Sequence, residues 1–122
     1  MSPRLYLIRR ELNKNMYKLD ISDSQFNKCI TAAISELRSR NLKPAYEEIV
    51  EAMHLYPDAP QPHNLLGIWF ELKGNGLMAR RHYRAAYSLD PTFQPACKNI
   101  ERICSFENFN SYEFYFGDEQ EK

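Results

Sequence analysis

Apolar residues recur at spacings of three and four along most of this chain, the period of a helix with one buried face. Leu5, Ile8, Leu12, Met16 and Leu19 form one such stripe, with Arg9, Arg10, Lys14 and Lys18 on much of the remaining surface, which predicts a helix over 4–19. Asp20-Ile21-Ser22-Asp23 reads as a break followed by a new helix cap. A helix over about 23–40 then turns Phe26, Ile30, Ala33, Ile34 and Leu37 inward. Asn41-Leu42-Lys43 makes a short turn, and Pro44 suits the first turn of the next helix, where a missing N–H leaves no bond unmade. That helix stops at Tyr56, before Pro57. Further helices are expected from near Pro60 to the turn Gly74-Asn75-Gly76, from 77 to 89 before Asp90-Pro91, and over 93–105. No helical period is clear in 106–122.

The pattern also repeats at long range. Pro57 recurs as Pro91, and the same step carries Ala33 to Gly67, Ala45 to Ala79, Ile49 to Tyr83, Ala52 to Ala86 and Leu55 to Leu89. A fixed period of this size predicts stacked helix pairs, each too small to bury its own apolar face. Small residues at fixed offsets let the paired helices approach closely, and the large residues between them fill the seam.

Residues 60–91 resemble a tetratricopeptide repeat. The resemblance rests on His63, Leu66, Gly67 and Phe70 in the first helix and on Ala79, Tyr83, Ala86 and Pro91 in the second. His63 departs from the family, which has Trp there. Residues 26–57 are similar to a degenerate first repeat, faithful in Ala45, Ile49, Ala52 and Pro57, with Cys29, Ala32, Ala33 and Glu36 in its weaker first helix. Residues 93–105 fit a lone first helix, with Cys97, Ile100, Glu101 and Cys104; Glu101 in place of Gly67 suits an outward-facing cap. The resemblance implies an all-α fold, a short right-handed superhelical stack of antiparallel helix hairpins, over 26–105. The chain then divides into a basic amphipathic N-terminal helix or arm (1–22), the repeat domain (23–105) and an aromatic, acidic tail (106–122). About two and a half repeats fall short of the roughly three usually needed for stability, so the N-terminal helix or the tail is expected to add burial.

The resemblance further implies a binding groove rather than a catalytic pocket. Its lining would be Asn27, Ile30, Ile34 and Leu37, then Asn64, Ile68 and Leu72, then Lys98 and Arg102: an apolar channel with two cations at one end. The leading expectation is a non-catalytic adaptor that binds a peptide or partner helix there. On this reading Ile68→Glu or Arg102→Glu abolishes partner capture without unfolding the domain. The other reading of Ile30, Ile34, Ile68 and Leu72 is packing against the N-terminal helix or the tail. Some members of the family hold acidic chaperone C-termini through Lys, Asn and Arg; the corresponding places here hold Ile30, Ile34, Leu65, Pro95 and Asn99, so that ligand is not carried over.

Composition narrows the chemistry. The net charge is zero, yet residues 1–43 carry nine Lys/Arg against four Asp/Glu and residues 44–122 carry seven against twelve. The opposed halves suit head-to-tail attraction and supply no general basic field for nucleic acid. Three cysteines argue against a disulfide framework, and Leu5-Tyr6-Leu7-Ile8 is too short an apolar run for a signal peptide or membrane span; a reducing cytoplasm is the expected setting. Cys29, Cys97 and Cys104 occupy core slots of the repeat and read as small hydrophobes. His54, His63 and His82 form no metal-ligand spacing with them, His63 reads as a partly buried packing residue, and no nucleophile, phosphate-loop or metalloprotease motif is present. Neither cofactor, metal nor catalysis is expected.

The ends carry the remaining signals. The tail sets six aromatics, Phe106, Phe109, Tyr112, Phe114, Tyr115 and Phe116, among five acids. Disordered segments are usually poor in aromatics, so this one is expected either to fold back over the repeats, with Glu113 or Asp118 near Lys98 and Arg102, to enter a neighbour's groove and give a homo-oligomer, or to dock on another protein. A bland acidic end is the alternative. The basic arm is the other candidate ligand for a neighbour's groove in a homo-oligomer; it is also compatible with anionic lipid or nucleic acid, although five basic residues on a short helix are common on solvated faces.

Overall fold

The computed structural model describes residues 17–105 and 112–119, with side chains over 23–105 and 112–119. Among the described residues there are five helices and no strand: α1 (Tyr17–Arg38), α2 (Leu42–Leu55), α3 (Pro60–Leu72), α4 (Gly76–Leu89) and α5 (Gln94–Cys104). Short connections join successive helices, and the closest packing is within the pairs α1/α2 and α3/α4.

Local chemistry explains the ends. Pro44 and Pro60 fall in first turns, and α2 and α4 stop ahead of Pro57 and Pro91. Asn75 caps α4 by accepting a hydrogen bond from the Met78 amide, 3.2 Å. The α3 end closes with Asn75 N–H on the Phe70 carbonyl and Gly74 N–H on the Glu71 carbonyl, around a left-handed Gly74 (φ 80°). The α1 end makes the same closure one repeat earlier, Asn41 on Glu36 and Arg40 on Leu37, but the left-handed residue is Arg40 (φ 61°), where glycine is preferred.

One expectation is corrected. The break at Asp20–Asp23 does not occur: α1 runs from Tyr17 through that stretch without interruption, across the 22/23 boundary placed between arm and repeats. Asp and Ser each weaken a helix by less than about 1 kcal/mol, and with no Gly or Pro in 17–38 a cap-like sequence is not enough to end it. The arm over 1–16 lies outside the described residues.

The alternating small and large positions meet as the repeat period requires. Ala33, Ala45, Ile49, Ala52, Ala79, Tyr83 and Ala86 are all fully buried. Gly67 is needed for the second seam: a Cβ there would collide with the edge of the Tyr83 ring. One apolar cluster joins Ala33, Ile34 and Leu37 of α1, Ile49 of α2, Leu65, Leu66 and Ile68 of α3, Tyr83 of α4 and Ile103 of α5. A smaller cluster, with Phe26 edge-on to Tyr56 at 5.1 Å, closes the far end of the first pair. The Trp69 indole N–H ties α3 to the start of α2 through the Leu42 carbonyl, 2.8 Å.

Candidate functional site

The surface made by α1, α3 and α5 is covered by the chain's own residues 112–119. Phe114 and Phe116 are buried in the main apolar cluster. Alternate side chains enter, as in an extended segment that turns every second residue to one side. Tyr112 borders the same hollow as Ile103, near the end of α5, Tyr115 is level with Asn99, and Gly117 faces Phe93 and Pro95 at the start of that helix. The tail therefore runs antiparallel to α5.

Two buried asparagines read its backbone. Asn64 Nδ2 and Asn99 Nδ2 both donate to the Tyr115 carbonyl, at 2.9 and 2.8 Å, and Tyr115 N–H donates to Asn99 Oδ1 at 3.0 Å. Asn99 also donates to Asn64 Oδ1, 2.8 Å. Both amides are fully buried, and each of these bonds offsets a desolvation that would otherwise be costly.

Cations frame the aromatic rings. Arg102 stands over Phe114 at 5.0 Å, with Arg40 at 5.8 Å; Arg38 stands over Phe116 at 4.6 Å, and Lys98 over Tyr115 at 5.5 Å. Such contacts add to burial through the ring's negative face. Arg38 also forms a two-pronged ion pair with Asp118, 2.7 and 2.8 Å, at the exposed rim; this hydrogen bonding holds its guanidinium pKa above the ordinary value. Glu119 folds back to accept from the amides of Phe116 (2.6 Å) and Gly117 (2.8 Å). Gly117 adopts φ 105°, which only glycine takes without strain.

Beneath Phe114 lies a buried polar group. Arg102 pairs with Glu71 through both nitrogens, Nη1 to Oε1 at 3.0 Å and Nη2 to Oε2, and Tyr83 donates its hydroxyl to the same carboxylate. Burial, then Glu71, pushes the Tyr83 phenol far up, so it remains a neutral donor. Burial works against the Arg102 charge, but Glu71 and Tyr83 outweigh it and its pKa rises.

Of the nine residues expected to line the groove, Asn64, Lys98 and Arg102 meet the tail directly. Ile34, Leu37 and Ile68 are buried in the cluster that receives Phe114 and Phe116, and Ile30 and Leu72 border it. Asn27 is exposed and lines a shallow depression on α1 with Ser24 and Thr31. Three expectations change. Asp118 pairs with Arg38, not with Lys98 or Arg102, because Arg102 is turned inward to Glu71. Ile68→Glu and Arg102→Glu cannot leave the fold intact: the first buries an unpaired carboxylate, the second sets one against Glu71. Cys104 is exposed rather than a core residue, as no described helix follows α5 to cover it; Cys29 is buried and Cys97 half-buried.

Sequence reasoning missed Arg38 and Glu71, and met Asn99 only as a place to which the family's chaperone ligand was not carried over. One repeat period on from Asn64 lies Lys98, whereas the amide that completes the clamp is its neighbour, Asn99. His63 is half-buried, as expected, and faces His82 at 3.3 Å between Nδ1 atoms, with Phe70 stacked on His82. Among the described residues no cluster of three or more His, Cys, Asp or Glu could hold a metal, and no helix is long and apolar enough to cross a membrane. Comparison with protein-family models, with curated proteins and with solved structures returns no match.

Proposed function

We propose that this chain is a short tetratricopeptide-type interaction module, a right-handed stack of helix hairpins with no catalytic role, whose concave groove binds an extended peptide segment of a partner protein. The observation that carries the reading is the Asn64–Asn99 clamp on the Tyr115 backbone. Side-chain amides that grip main-chain groups hold an extended peptide whatever its side chains, and flanking pockets then select. The regular spacing of the buried seam supports the helical-repeat assignment, and the free thiols suit the reducing cytoplasm.

The test is selection from random octapeptides displayed on phage. The target is the full-length chain with its tail unhooked by Phe114→Ser and Phe116→Ser, after circular dichroism confirms its helices. Peptides that are enriched, and lost again when Asn99→Ala is added, support a peptide-binding groove. A folded target that enriches nothing overturns it. A second reading is favoured by the same contacts: a tail that fits its own groove fits that of another copy, which would make the protein a self-assembling subunit. Light scattering across protein concentration separates the two.

A further inference from the structure

The occupied groove also specifies what it would accept. We infer that the tail is a displaceable stand-in for a foreign segment of the form aromatic–any–aromatic–Gly–acid, and that it holds the groove shut until such a segment competes; this rests on the peptide-binding reading above.

Each position of that motif follows from a contact. The first and third places are set by Phe114 and Phe116, which enter the apolar cluster while their ring faces meet Arg102 and Arg38. The second is permissive, because Tyr115 is held by its backbone and its ring lies half-exposed under Lys98. Glycine follows because that residue takes φ 105°. The acid comes next, since Asp118 meets both Arg38 nitrogens. Another acid at the Glu119 place accepts the two amides that shape the turn.

Displacement is favoured by how little of the tail is fixed. Among its described residues only Phe114 and Phe116 are buried, Tyr112 is 62% exposed, and the Arg38–Asp118 pair lies in solvent at the rim. A short tethered segment has an effective concentration on the order of 1 mM. If the free octapeptide binds with a Kd of ~0.1 mM, the groove is open in about one molecule in ten, and a competitor sees an affinity reduced about tenfold.

The probe is a fluorescein-labelled octapeptide, Tyr-Glu-Phe-Tyr-Phe-Gly-Asp-Glu, titrated by anisotropy into three full-length proteins. Phe114→Ser/Phe116→Ser should bind it about tenfold more tightly than the parent chain. Asp118→Lys, which leaves both phenylalanines in place and spares the core, should fall between them. An octapeptide with Ser at both Phe places should not bind. The inference is overturned if neither opened variant binds the octapeptide while both keep their helices. It is equally overturned if all three proteins bind it alike, since the tail then blocks nothing, or if the parent dimerises through its tail, since a second copy is then the occupant. Its failure is distinct from failure of the broader reading: phage selection that enriches other motifs keeps the groove and discards this one, and selection that enriches nothing discards both.

Discussion

Ile30, Leu37 and Ile49 of the first helix pair stand one repeat period before Asn64, Glu71 and Tyr83 of the second. The backbone plan is shared, down to the closure of α1 and α3 by the same two hydrogen bonds. The chemistry is opposite: an apolar seam in one pair, a buried amide, carboxylate and phenol in the other. A buried polar group costs stability unless every bond it needs is made. The first pair packs its seam without any, so the architecture does not demand them. What the second pair has in addition is company: Asn64 reaches Asn99 and the Tyr115 carbonyl, and Glu71 reaches Arg102, which caps Phe114. The polar slots serve the surface that receives the tail.

Making the second pair resemble the first should have the largest effect. Arg102→Met strands Glu71 in the interior and should cost about 3–5 kcal/mol in urea unfolding. Adding Glu71→Leu, as at Leu37, and Tyr83→Phe removes the whole group and should restore most of that loss, because replacing a buried ionic cluster by apolar residues is often neutral. A triple variant no more stable than Arg102→Met would mean that the cluster holds the pair together in its own right.

Gly67→Ala tests the seam. The first pair carries a Cβ at Ala33 opposite Ile49; in the second, the same atom would collide with the Tyr83 ring. The fully buried ring has little room to move, so overpacking of about 1–3 kcal/mol is expected, read as a fall in Tm of about 4–8 °C for each kcal/mol. An unchanged Tm would show that the ring moves aside freely.

A smaller loss should follow acidification. The second pair holds His63 and His82 where the first holds Cys29 and Glu48. Burial lowers both histidine pKa values, and His82 lowers that of His63 further. The unfolded chain therefore takes up protons first as pH falls below 6.5, and stability declines from there through the folded pKa values. Burial, then Glu48, pushes the Cys29 thiol up, so it stays neutral over this range. Thermal melts from pH 7 to 5 should lose Tm, and His63→Leu with His82→Phe should flatten the profile. An unaltered slope would place the proton uptake elsewhere.

How much of this was legible in the sequence differs between core and groove. Pro44, Pro57, Pro60 and Pro91 act through backbone sterics, which are local, so they mark helix ends reliably; Asp20–Asp23 carries only propensity, too weak without Gly or Pro to end a helix. The repeat period exposed Ala45, Ala79 and Tyr83 as seam residues because stacked units repeat their contacts. It also brought Asn64, Lys98 and Arg102 into view. It could not indicate Arg38, chosen by a tail that has no period of its own and paired with a residue 80 positions away; it put Asn99 at a ligand-holding place of the family but could not show its partner in the tail, 16 residues on.

Arg40→Gly makes the first pair resemble the second. It gives α1 the closing residue that α3 already has in Gly74 and relieves a left-handed conformation costing about 1 kcal/mol. It also takes a guanidinium from Phe114. Global stability should rise while hydrogen exchange of the tail amides quickens. If tail exchange slows instead, the Arg40–Phe114 contact contributes nothing to holding the tail.

Asp118→Asn should have the smallest effect. Its ion pair with Arg38 is half in solvent, 50% and 39% exposed, and pairs of this kind contribute about 0.2–1 kcal/mol, less as salt rises. The fold as a whole should hardly register the change. The tail should: if it is displaceable as proposed, losing even about half a kcal/mol, about a twofold change, raises the fraction of undocked tails. Exchange of the Tyr115 amide, which is bonded to Asn99, should therefore quicken about twofold at low salt and less at about 1 M salt, while exchange in α3 and α4 stays as it was. Equal quickening in the helices would mean that the tail and the repeats open together, and that the groove is never empty in a folded chain.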